Sequence, residues 1–479
     1  MLVLHFVIFL GASFYATAHK EHGIVYPRLL TARGDSGPNV LKINDNIALS
    51  LEKSKVFSGD FLLFSEANGE SVHYYMKEDD YEKNLYHNDE HQASLLLDTE
   101  GGVKVEGIIS NTLRIKPLLE MPRSDEGHIA HSLYEIEPPT AGEPTHRDYA
   151  VGNTTGDGNY SSYTAEARSA KDVLYPEIHI VVDSAYAKHF NYDKKSITLY
   201  LAVLVNAANL RYKSIQNPRI QLRIVAITVS ETEESYLVIP GRDRNQILDE
   251  ETLIQFNNYY RGKRAFEESD LTFLITGRDM VFYEGGQLQT WVGGYAFVAG
   301  MCQDYRVGMC EDRATSYYGV YVFAHEVGHS LGCVHDGSPA ESQVPGHRGS
   351  QQCPWSEGYI MSYEMKDSRQ YQFSTCCQND IRNLIRQAQW RCLIERKKKS
   401  IKKKGFPGQH TSGDNYCKRV YYQEPGIYYD RHYGVQNCKV RCQGQRYHYT
   451  IGVVDGTPCD QERKGRLRCM LGECVRRKE

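Results

Sequence analysis

Cysteine is missing from the first 301 residues of this 479-residue chain, although the whole chain contains 13 cysteines. This absence excludes any disulfide and any thiol metal ligand from the N-terminal part. The later part is rich in cysteine, which in an oxidising compartment predicts a fold held together by disulfides. Because the total is odd, at least one thiol has no partner within the chain.

Long apolar runs are also missing beyond the N-terminus, where no stretch reaches 18 consecutive apolar residues, so the sequence predicts no membrane-spanning helix. Residues 1–18 begin with an apolar run and end in Ala16-Thr17-Ala18, a small-residue pattern typical of a signal-peptide cleavage site. We therefore expect a secreted, extracellular protein without a membrane anchor. A net charge of −4 does not favour nucleic acid as a partner.

Residues 19–171 contain no cysteine, and short strand-like runs such as FLLFS and VHYYM predict a β-rich region. The end of this region, 140–172, is small, polar and rich in glycine, which predicts a flexible boundary. Asn153 and Asn159 lie there in N-x-S/T sequons and are candidate glycosylation sites, although unused sequons are an equally good interpretation.

Residues 172–394 show a different pattern, in which apolar strand-like runs alternate with helical segments. YPEIHIVVDSAY, IQLRIVAITVS and DLTFLITGRDM predict strands, whereas SITLYLAVLVNAANLRY and QILDEETLIQFNNYYRGKR predict helices. This alternation favours an α/β domain with a mixed, twisted sheet. A basic linker, 395–416, and a small module with six cysteines, 417–479, follow. The basic run 396–404 is interpreted as a solvated linker, or else as a segment that binds polyanions.

The segment SYYGVYVFAHEVGHSLG carries apolar residues spaced as one face of a helix, and Gly332 ends it. His325 and His329 are four residues apart, so both imidazoles can face the same ion. A turn at Gly332 brings His335 back as a third ligand. Three neutral nitrogens leave an open fourth position, which is the coordination typical of catalytic zinc.

Glu326 follows the first histidine, about 100° around the helix from it, and can reach a metal-bound water without binding the metal. Zinc lowers the pKa of such a water, and Glu326 can take its proton and pass it to a leaving amine. The pattern therefore predicts a zinc-dependent hydrolase of peptide bonds. Three unrelated histidines at a helix end are a much weaker explanation of the full string HEVGHSLGCVHD.

HEVGHSLGCVHD resembles the long zinc signature of the metzincins, and Asp336 after the third histidine resembles the reprolysin (adamalysin) branch. Metzincins have a methionine turn beneath the zinc, and EGYIMSY offers Met361 for it. YPRLL and GHIAHSLYEI resemble propeptide segments, and DGTPCDQERKGRLRCMLGECV is similar to the ADAMTS cysteine-rich module. The resemblance implies a propeptide at 19–171, a metzincin endopeptidase domain with an active-site helix at 172–394, and a cysteine-rich module at 417–479.

This order of modules most resembles the salivary metalloproteases of ticks. The resemblance implies an antihaemostatic role in blood feeding, with plasma or matrix proteins such as fibrinogen and fibrin as substrates. The alternative is a binding or decoy protein that acts through the cysteine-rich tail. An intact Glu326 argues against that alternative, because a protein that only binds has no need of a general base.

Calcium is a second cofactor implied by the resemblance, since reprolysins often bind a structural calcium far from the zinc. Glu177 and Asp270 match two of the expected ligands. Glu395 stands where the family often has asparagine, which puts the site in doubt. Solvated charges at strand ends explain Glu177 and Asp270 nearly as well.

The sequence departs from the family in how the zinc would be blocked before activation. Many family propeptides use a cysteine, which is absent here, so latency must come from steric cover or from another ligand. The candidate ligands are histidines of the N-terminal region: His87, His91, His128 and His131. No RxKR string stands near residue 170, so Arg168 or Lys171 are the candidate processing points. The string Arg261–Arg264 is interpreted as a solvated helix end, and the RGD at 33–35 as a chance match.

The cysteines are predicted to form disulfides with one thiol left over and with no defined pairing. They are Cys302, Cys310, Cys333, Cys353, Cys376, Cys377, Cys392, Cys417, Cys438, Cys442, Cys459, Cys469 and Cys474. Seven of them precede residue 394, so at least one of these seven has no partner within that domain. Cys333, inside the zinc signature, is expected to pair with Cys353, Cys376 or Cys377.

Overall fold

The structure is a computed structural model of the chain. It describes residues 20–30, 39–67, 70–137, 148–152, 173–394, 412–421, 424–454, 456–459, 467–470 and 472–476. None of the helices within these ranges is long and apolar enough to span a membrane. Several sequence predictions lie outside the described residues: the signal at 1–18, the RGD at 33–35, the sequons at Asn153 and Asn159, Arg168, Lys171, Glu395 and the basic run 396–404.

The N-terminal region is almost entirely β-structure, as the sequence predicted. Its elements are β1 Lys20–Val25, β2 Arg28–Leu30, β3 Asn39–Lys42, β4 Ala48–Lys53, β5 Phe57–Ala67, β6 Glu70–Met76, α1 Glu78–Glu82, β7 Leu85–Asn88, β8 Ala93–Asp98, β9 Lys104–Ile108, β10 Leu113–Pro117 and β11 His131–Glu135. Its strands, apart from β5, β6 and a later short strand at Tyr149–Val151, lie in one sheet, in the order β1-β11-β10-β9-β8-β7-β4-β3-β2. In β4, Leu49 and Leu51 are buried between exposed neighbours, because successive side chains of a strand point to opposite faces.

The second set of elements runs from Tyr149 to Leu393. It comprises β12 Tyr149–Val151, β13 Val173–Leu174, β14 Glu177–Val182, α2 Ser184–His189, α3 Lys194–Tyr212, β15 Arg219–Ile220, β16 Arg223–Ser230, β17 Gln246–Leu248, α4 Asp249–Tyr260, α5 Arg264–Glu267, β18 Leu271–Thr276, β19 Asp279–Glu284, β20 Gln287–Gln289, β21 Gly294–Val298, β22 Val307–Glu311, α6 Val320–Ser330 and α7 Thr375–Ile385, with 3-10 turns at Trp355–Glu357, Ile360–Ser362, Ser368–Tyr371 and Ala388–Leu393. The predicted strands correspond to β14, β16 and β18, and the predicted helices to α3, α4 and α6.

Eight strands form the central sheet, in the order β12-β21-β22-β18-β14-β16-β5-β6. Strands β16, β14, β18 and β22 run parallel, whereas β21 and β6 are antiparallel to a neighbour. Strand β18 is buried at every position, as expected of a parallel strand covered on both faces. The mixed α/β sheet predicted from the sequence is confirmed.

Strands β5 and β6 come from the N-terminal region but belong to the central sheet. β5 pairs in parallel with β16, from Phe57 beside Ile224 to Glu66 beside Ser230. Phe57 and Phe61 are buried in the same hydrophobic core as β14, β16 and β18. The N-terminal region therefore shares a core with the rest of the molecule.

Helix α3 is covered both by the central sheet and by the N-terminal sheet. Asp193 caps it by accepting a hydrogen bond from the backbone N of Ser196 at 2.8 Å. Most of its side chains from Ile197 onward are buried, because it contacts β16 as well as β7, β8 and β9. Ser94 Oγ of β8 donates to the carbonyl oxygen of Val203 at 2.9 Å. A helix that is apolar all round needs cover on all sides, and the N-terminal region supplies part of that cover.

The boundary predicted at 140–172 is not flexible throughout. Strand β12 lies within it and pairs in parallel with β21, with Tyr149 beside Ala296. Asp148 and Tyr149 are only 2% and 5% exposed. The prediction was wrong for this short segment because its strand is stabilised by pairing at the sheet edge, which a polar, glycine-rich composition does not reveal.

Six disulfides join twelve of the 13 cysteines. The pairs are Cys302–Cys392, Cys333–Cys377, Cys353–Cys376, Cys417–Cys442, Cys438–Cys469 and Cys459–Cys474. Cys310, in β22, is a buried free thiol. Three disulfides lie before residue 394, and three lie in the C-terminal module. The described elements of that module are α8 Gly413–Val420, β23 Tyr428–Tyr429, β24 Lys439–Gln443, β25 His448–Gly452, β26 Leu467–Met470 and β27 Glu473–Arg476.

Candidate metal centre

Helix α6 carries the first part of the zinc-like signature through the middle of the core. Its apolar side chains, such as Phe323 and Val327, are fully buried against the central sheet. Gly332 follows the helix with a φ of 101°, a left-handed conformation that only glycine adopts readily. The chain therefore turns sharply at this position and returns towards the helix, which brings His335 beside His325.

Three imidazole nitrogens converge where the chain returns. Nε2 of His325 lies 3.0 Å from Nε2 of His329 and 3.1 Å from Nε2 of His335. The other ring nitrogens of the first two histidines face backbone carbonyls: Nδ1 of His325 is 2.8 Å from the oxygen of Ile360, and Nδ1 of His329 is 2.8 Å from that of Cys333. Because Nδ1 carries the proton in these contacts, the Nε2 atoms present lone pairs to a common point.

Burial keeps the rings of His325 and His329 neutral. It lowers the pKa of His325 well below the ordinary value and also lowers the pKa of His329. Two neutral nitrogens with lone pairs facing each other at 3.0 Å repel unless a cation lies between them. The arrangement is therefore suited to a metal ion.

The turn that contains Met361 packs against helix α6 and against the ring of His325. The carbonyl oxygen of Ile360 accepts hydrogen bonds from Nδ1 of His325 and, at 2.9 Å, from the hydroxyl of Tyr321. Met361 is fully buried, and a Cβ atom at Gly328 would lie 3.0 Å from its sulfur. Gly328 thus allows the methionine turn to pack directly against helix α6.

Asp336 links the third histidine to the next helix. Its backbone N donates to the carbonyl oxygen of Met361 at 3.0 Å, and its Oδ1 accepts a hydrogen bond from Ser374 Oγ at 2.6 Å. Ser374 also caps helix α7. Asp336 therefore fixes the return of the chain after His335, and burial raises its pKa to about 7.

Glu326 lies beside the histidines, fully buried. Its Oε1 is 3.3 Å from the hydroxyl of Tyr363, and its Oε2 has no hydrogen-bond partner within the described residues. A Cβ atom at Gly294 would come within 2.5 Å of the Glu326 side chain, so the glycine makes room for it. Burial first, and the Asp148 carboxylate second, raise the pKa of Glu326 well above its ordinary value.

A fourth residue completes the cluster, and the sequence did not reveal it. Asp148, from the N-terminal region, places Oδ1 at 2.8 Å from Nε2 of His335 and 3.2 Å from Nε2 of His329. Its Oδ2 is 3.7 Å from Nε2 of His325 and accepts a hydrogen bond from Tyr363. One ligand atom from each of these four residues lies within 4.8 Å of the others. Burial opposes ionisation, but the histidines hold the pKa of Asp148 well below its ordinary value.

The histidines that were expected to block the metal lie elsewhere and have their own partners. Nδ1 of His87 is 2.8 Å from Ser54 Oγ, and Nδ1 of His131 is 2.9 Å from the carbonyl oxygen of Ile129. His91 contacts Asn88 and His128 contacts Glu126. They sit on the strands and turns of the N-terminal sheet, whereas the segment that reaches the cluster is β12.

The expected calcium ligands are adjacent but make local contacts. The backbone N of Glu177 donates to Oδ2 of Asp270 at 2.9 Å, and Oε1 of Glu177 accepts from Ser58 Oγ at 2.8 Å. The Asp270 carboxylate also lies near the Cys302–Cys392 disulfide. Sulfurs in a disulfide are not thiolates, so they do not add metal ligands at this point.

Comparison with known proteins decides the identity of the domain around this cluster. Residues 177–374 match the family Reprolysin_5, described as metallo-peptidase family M12. These residues form a metallopeptidase domain of the M12 type. The metallopeptidase is 28% identical over 402 residues to the venom metalloproteinase antarease-like TtrivMP_A of Tityus trivittatus, which covers 81% of this chain and 97% of that protein.

Two other relatives are also described as metalloproteinases. The metallopeptidase is 27% identical over 409 residues to the venom metalloproteinase BumaMPs1 of Olivierus martensii, covering 82% of this chain and 98% of that one. It is also 27% identical to a Bombyx mori protein described as "a disintegrin and metalloproteinase with thrombospondin motifs like", over 66% of this chain and 46% of that protein. The reprolysin-type endopeptidase predicted from the sequence is confirmed.

Family M12 implies a zinc cofactor, and the cluster fits one. The converging nitrogens of His325, His329 and His335 are a donor set that suits zinc, and the outward-facing Nδ1 atoms of the first two are held by backbone carbonyls. The unpartnered Oε2 of Glu326 lies beside the cluster without being part of it.

Proposed function

We propose that this metallopeptidase is a secreted zinc endopeptidase in which His325, His329 and His335 hold the zinc and Glu326 is the general base. The observation that carries the proposal is the convergence of three Nε2 atoms, about 3 Å apart, beside a buried carboxylate with a free oxygen. When bound, zinc acts as a Lewis acid and makes water a stronger nucleophile near neutral pH.

The protein side chains then have distinct roles. Glu326 takes the proton of the attacking water and delivers it to the nitrogen of the leaving amine. The packing of Met361 on Gly328 fixes the helix that carries His325 and His329, and Asp336 fixes the loop that carries His335. These residues position the groups that react, and such positioning matters because a small displacement of a reacting group greatly lowers the catalytic rate.

We infer that the substrates are proteins of plasma or extracellular matrix, such as fibrinogen and fibrin, and that the effect is antihaemostatic. The resemblance of the module order to tick salivary metalloproteases motivates this inference, and two relatives are described as venom metalloproteinases. Six disulfides support secretion, because disulfides persist in oxidising compartments. The division into a signal at 1–18, a propeptide at 19–171, a protease domain at 172–394, a linker at 395–416 and a tail at 417–479 is part of the proposal.

Two further binding properties belong to the proposal. Glu177 and Asp270 are candidates for a structural calcium site, supported by their adjacency on β14 and at the start of β18. The basic run 396–404 is a candidate segment for binding polyanions. Glycosylation at Asn153 and Asn159 is proposed from the sequons alone.

The central test is digestion of fibrinogen, gelatin and fibronectin by the processed protein. Glu326→Gln should lower the rate by about 10²- to 10⁴-fold, because it removes the general base, while zinc content stays at one ion per chain. Glu284→Gln, at an exposed carboxylate of β19, is the matched control and should keep full activity. A chelator should abolish activity in the unmodified protein.

The same variants separate enzyme from binding protein. If an effect on clotting survives Glu326→Gln but is lost when residues 396–479 are deleted, the effect arises from the tail and catalysis is not its cause. If the deletion leaves the effect intact and Glu326→Gln removes it, proteolysis is responsible. Unchanged digestion by Glu326→Gln would refute the assigned role of the carboxylate.

A further inference from the structure

We propose that Asp148 is the fourth zinc ligand of the uncleaved chain, so that the N-terminal region blocks the active site with a carboxylate. The inference rests on the proposed zinc site. Asp148 lies within the polar, glycine-rich stretch 140–172, where nothing in the sequence indicates a metal ligand. It also supplies a blocking ligand for the metal in a chain whose first 301 residues contain no cysteine.

The position of the carboxylate is the first argument. Oδ1 of Asp148 lies 2.8 Å from Nε2 of His335 and 3.2 Å from Nε2 of His329, yet it is not aligned for a hydrogen bond to either. It is aimed at the space between the rings. The histidine nitrogens present lone pairs to the same space, so four electron-rich atoms converge there, and such a group is stable only around a cation.

The way in which Asp148 is held is the second argument. Its Oδ2 accepts a hydrogen bond from the hydroxyl of Tyr363, whose ring stacks on His325 at 4.2 Å between centroids. The backbone carbonyl oxygen of Asp148 accepts a hydrogen bond from the backbone N of Ala296 at 3.3 Å. Tyr363 therefore orients the carboxylate, as hydrogen bonds commonly do for metal-ligating carboxylates, and the bond from Ala296 fixes the backbone that carries it.

The segment that follows Asp148 is shaped to fit the same cleft. The ring of Tyr149 lies 4.7 Å from that of His329 and 5.3 Å from that of His335. A Cβ atom at Gly152 would lie 2.3 Å from the ring of Tyr305, so only glycine fits there. Tyr149 therefore covers two of the three histidine rings, and Gly152 fits against Tyr305 just after β12.

Strand β12 also occupies an edge of the sheet. It is the last strand at one end of the central sheet and pairs with β21. Strand β21 ends at Val298, and the backbone N of the next residue, Ala299, donates a hydrogen bond to the carbonyl oxygen of His329 at 2.9 Å. An extended peptide that added to β21 would lie where β12 lies. The N-terminal region thus blocks the site twice, by a ligand at the metal and by a strand at the sheet edge.

The test uses the full uncleaved chain in the Glu326→Ala background, which prevents self-digestion, with cobalt in place of zinc. Asp148→Asn and Asp148→Ala should change the visible absorption of the cobalt and increase the rate of its removal by a chelator at least 10-fold. Asp98→Asn, at a half-exposed carboxylate of the same region, is the matched control and should change neither. With Glu326 intact, Asp148→Asn should also release activity towards a short peptide.

The outcomes are separable. If cobalt spectrum and removal rate are the same in Asp148→Asn, Asp148→Ala and the Asp98→Asn control, Asp148 is not a ligand and the inference is overturned. If His325→Ala abolishes cobalt binding, and the Asp148 variants change the cobalt spectrum and speed its removal, the metal site and the inference both stand. If no variant of the histidines affects cobalt binding, the proposed zinc site itself fails. Unchanged circular dichroism in each variant shows that folding is intact.

Discussion

Removal of the Cys333–Cys377 disulfide should weaken both the fold and the metal site. Cys333 lies immediately after the turn at Gly332, and its carbonyl oxygen faces Nδ1 of His329 at 2.8 Å. The disulfide ties this carbonyl to helix α7. We predict that the double variant Cys333→Ala with Cys377→Ala folds but is less stable, because the unfolded chain gains freedom.

The magnitude follows from the length of the closed loop. The bonded cysteines are 44 residues apart, which corresponds to about 4.0 kcal/mol of loop-closure free energy. The Cys353–Cys376 disulfide already shortens that loop by 23 residues, which leaves 44 − 23 = 21 residues and about 3.3 kcal/mol. The expected loss of stability is therefore about 3–4 kcal/mol.

The assay is denaturant unfolding followed by tryptophan fluorescence, in the Glu326→Ala background. All three tryptophans, Trp291, Trp355 and Trp390, lie in the domain that carries the disulfide, so the signal reports on that domain. The double variant Cys459→Ala with Cys474→Ala, which opens a tail disulfide, is the control and should leave this transition unchanged. A loss below about 1 kcal/mol would refute the loop-entropy argument, and unchanged zinc affinity would show that the bond does not position His329.

Three other changes give independent checks. Gly328→Ala should destabilise the protein, because overpacking against the buried Met361 costs about 1–3 kcal/mol and exceeds the helix preference of alanine, about 1 kcal/mol; an unchanged or higher stability in chemical denaturation would contradict this. Gly152→Ala should raise peptide hydrolysis by the uncleaved chain several-fold, because Tyr305 leaves no room for a Cβ atom; activity equal to that of the unmodified chain would contradict it. Burial lowers the folded-state pKa of His179 from its unfolded value of 6.5 to about 3, so the unfolded state binds more protons and stability should fall as pH drops from 6.5 towards 3. In His179→Asn, unfolding midpoints measured across that range should fall less steeply.

The clustering of His325, His329 and His335 could be predicted from the sequence because the three residues are close together in the chain. The spacing of His325 and His329 follows from helix geometry, and Gly332 marks the turn that returns His335. Met361 lies farther along and was predicted only through a family resemblance. Its packing against Gly328 is a tertiary contact that no local pattern encodes.

Asp148 could not be predicted, because it meets the histidines across more than 170 residues of chain. Its one local signal is the short apolar run that begins at Tyr149, which is too brief to indicate a strand. The position of β5 in the central sheet was missed for a related reason. Its sequence predicts a strand, but strand pairing over long distances depends on the whole fold.

The placement of β5 and β6 within the central sheet has a consequence for the timing of activation. A cut between residues 153 and 172 would sever the covalent link, but β5 would stay hydrogen-bonded to β16 and α3 would stay covered by β8. Departure of the N-terminal region would then require the loss of a whole strand pairing and the exposure of an apolar helix. We therefore expect clipping and release to be separate events, with the dissociation of the two chains as the slow step and a lag in activity after the cut.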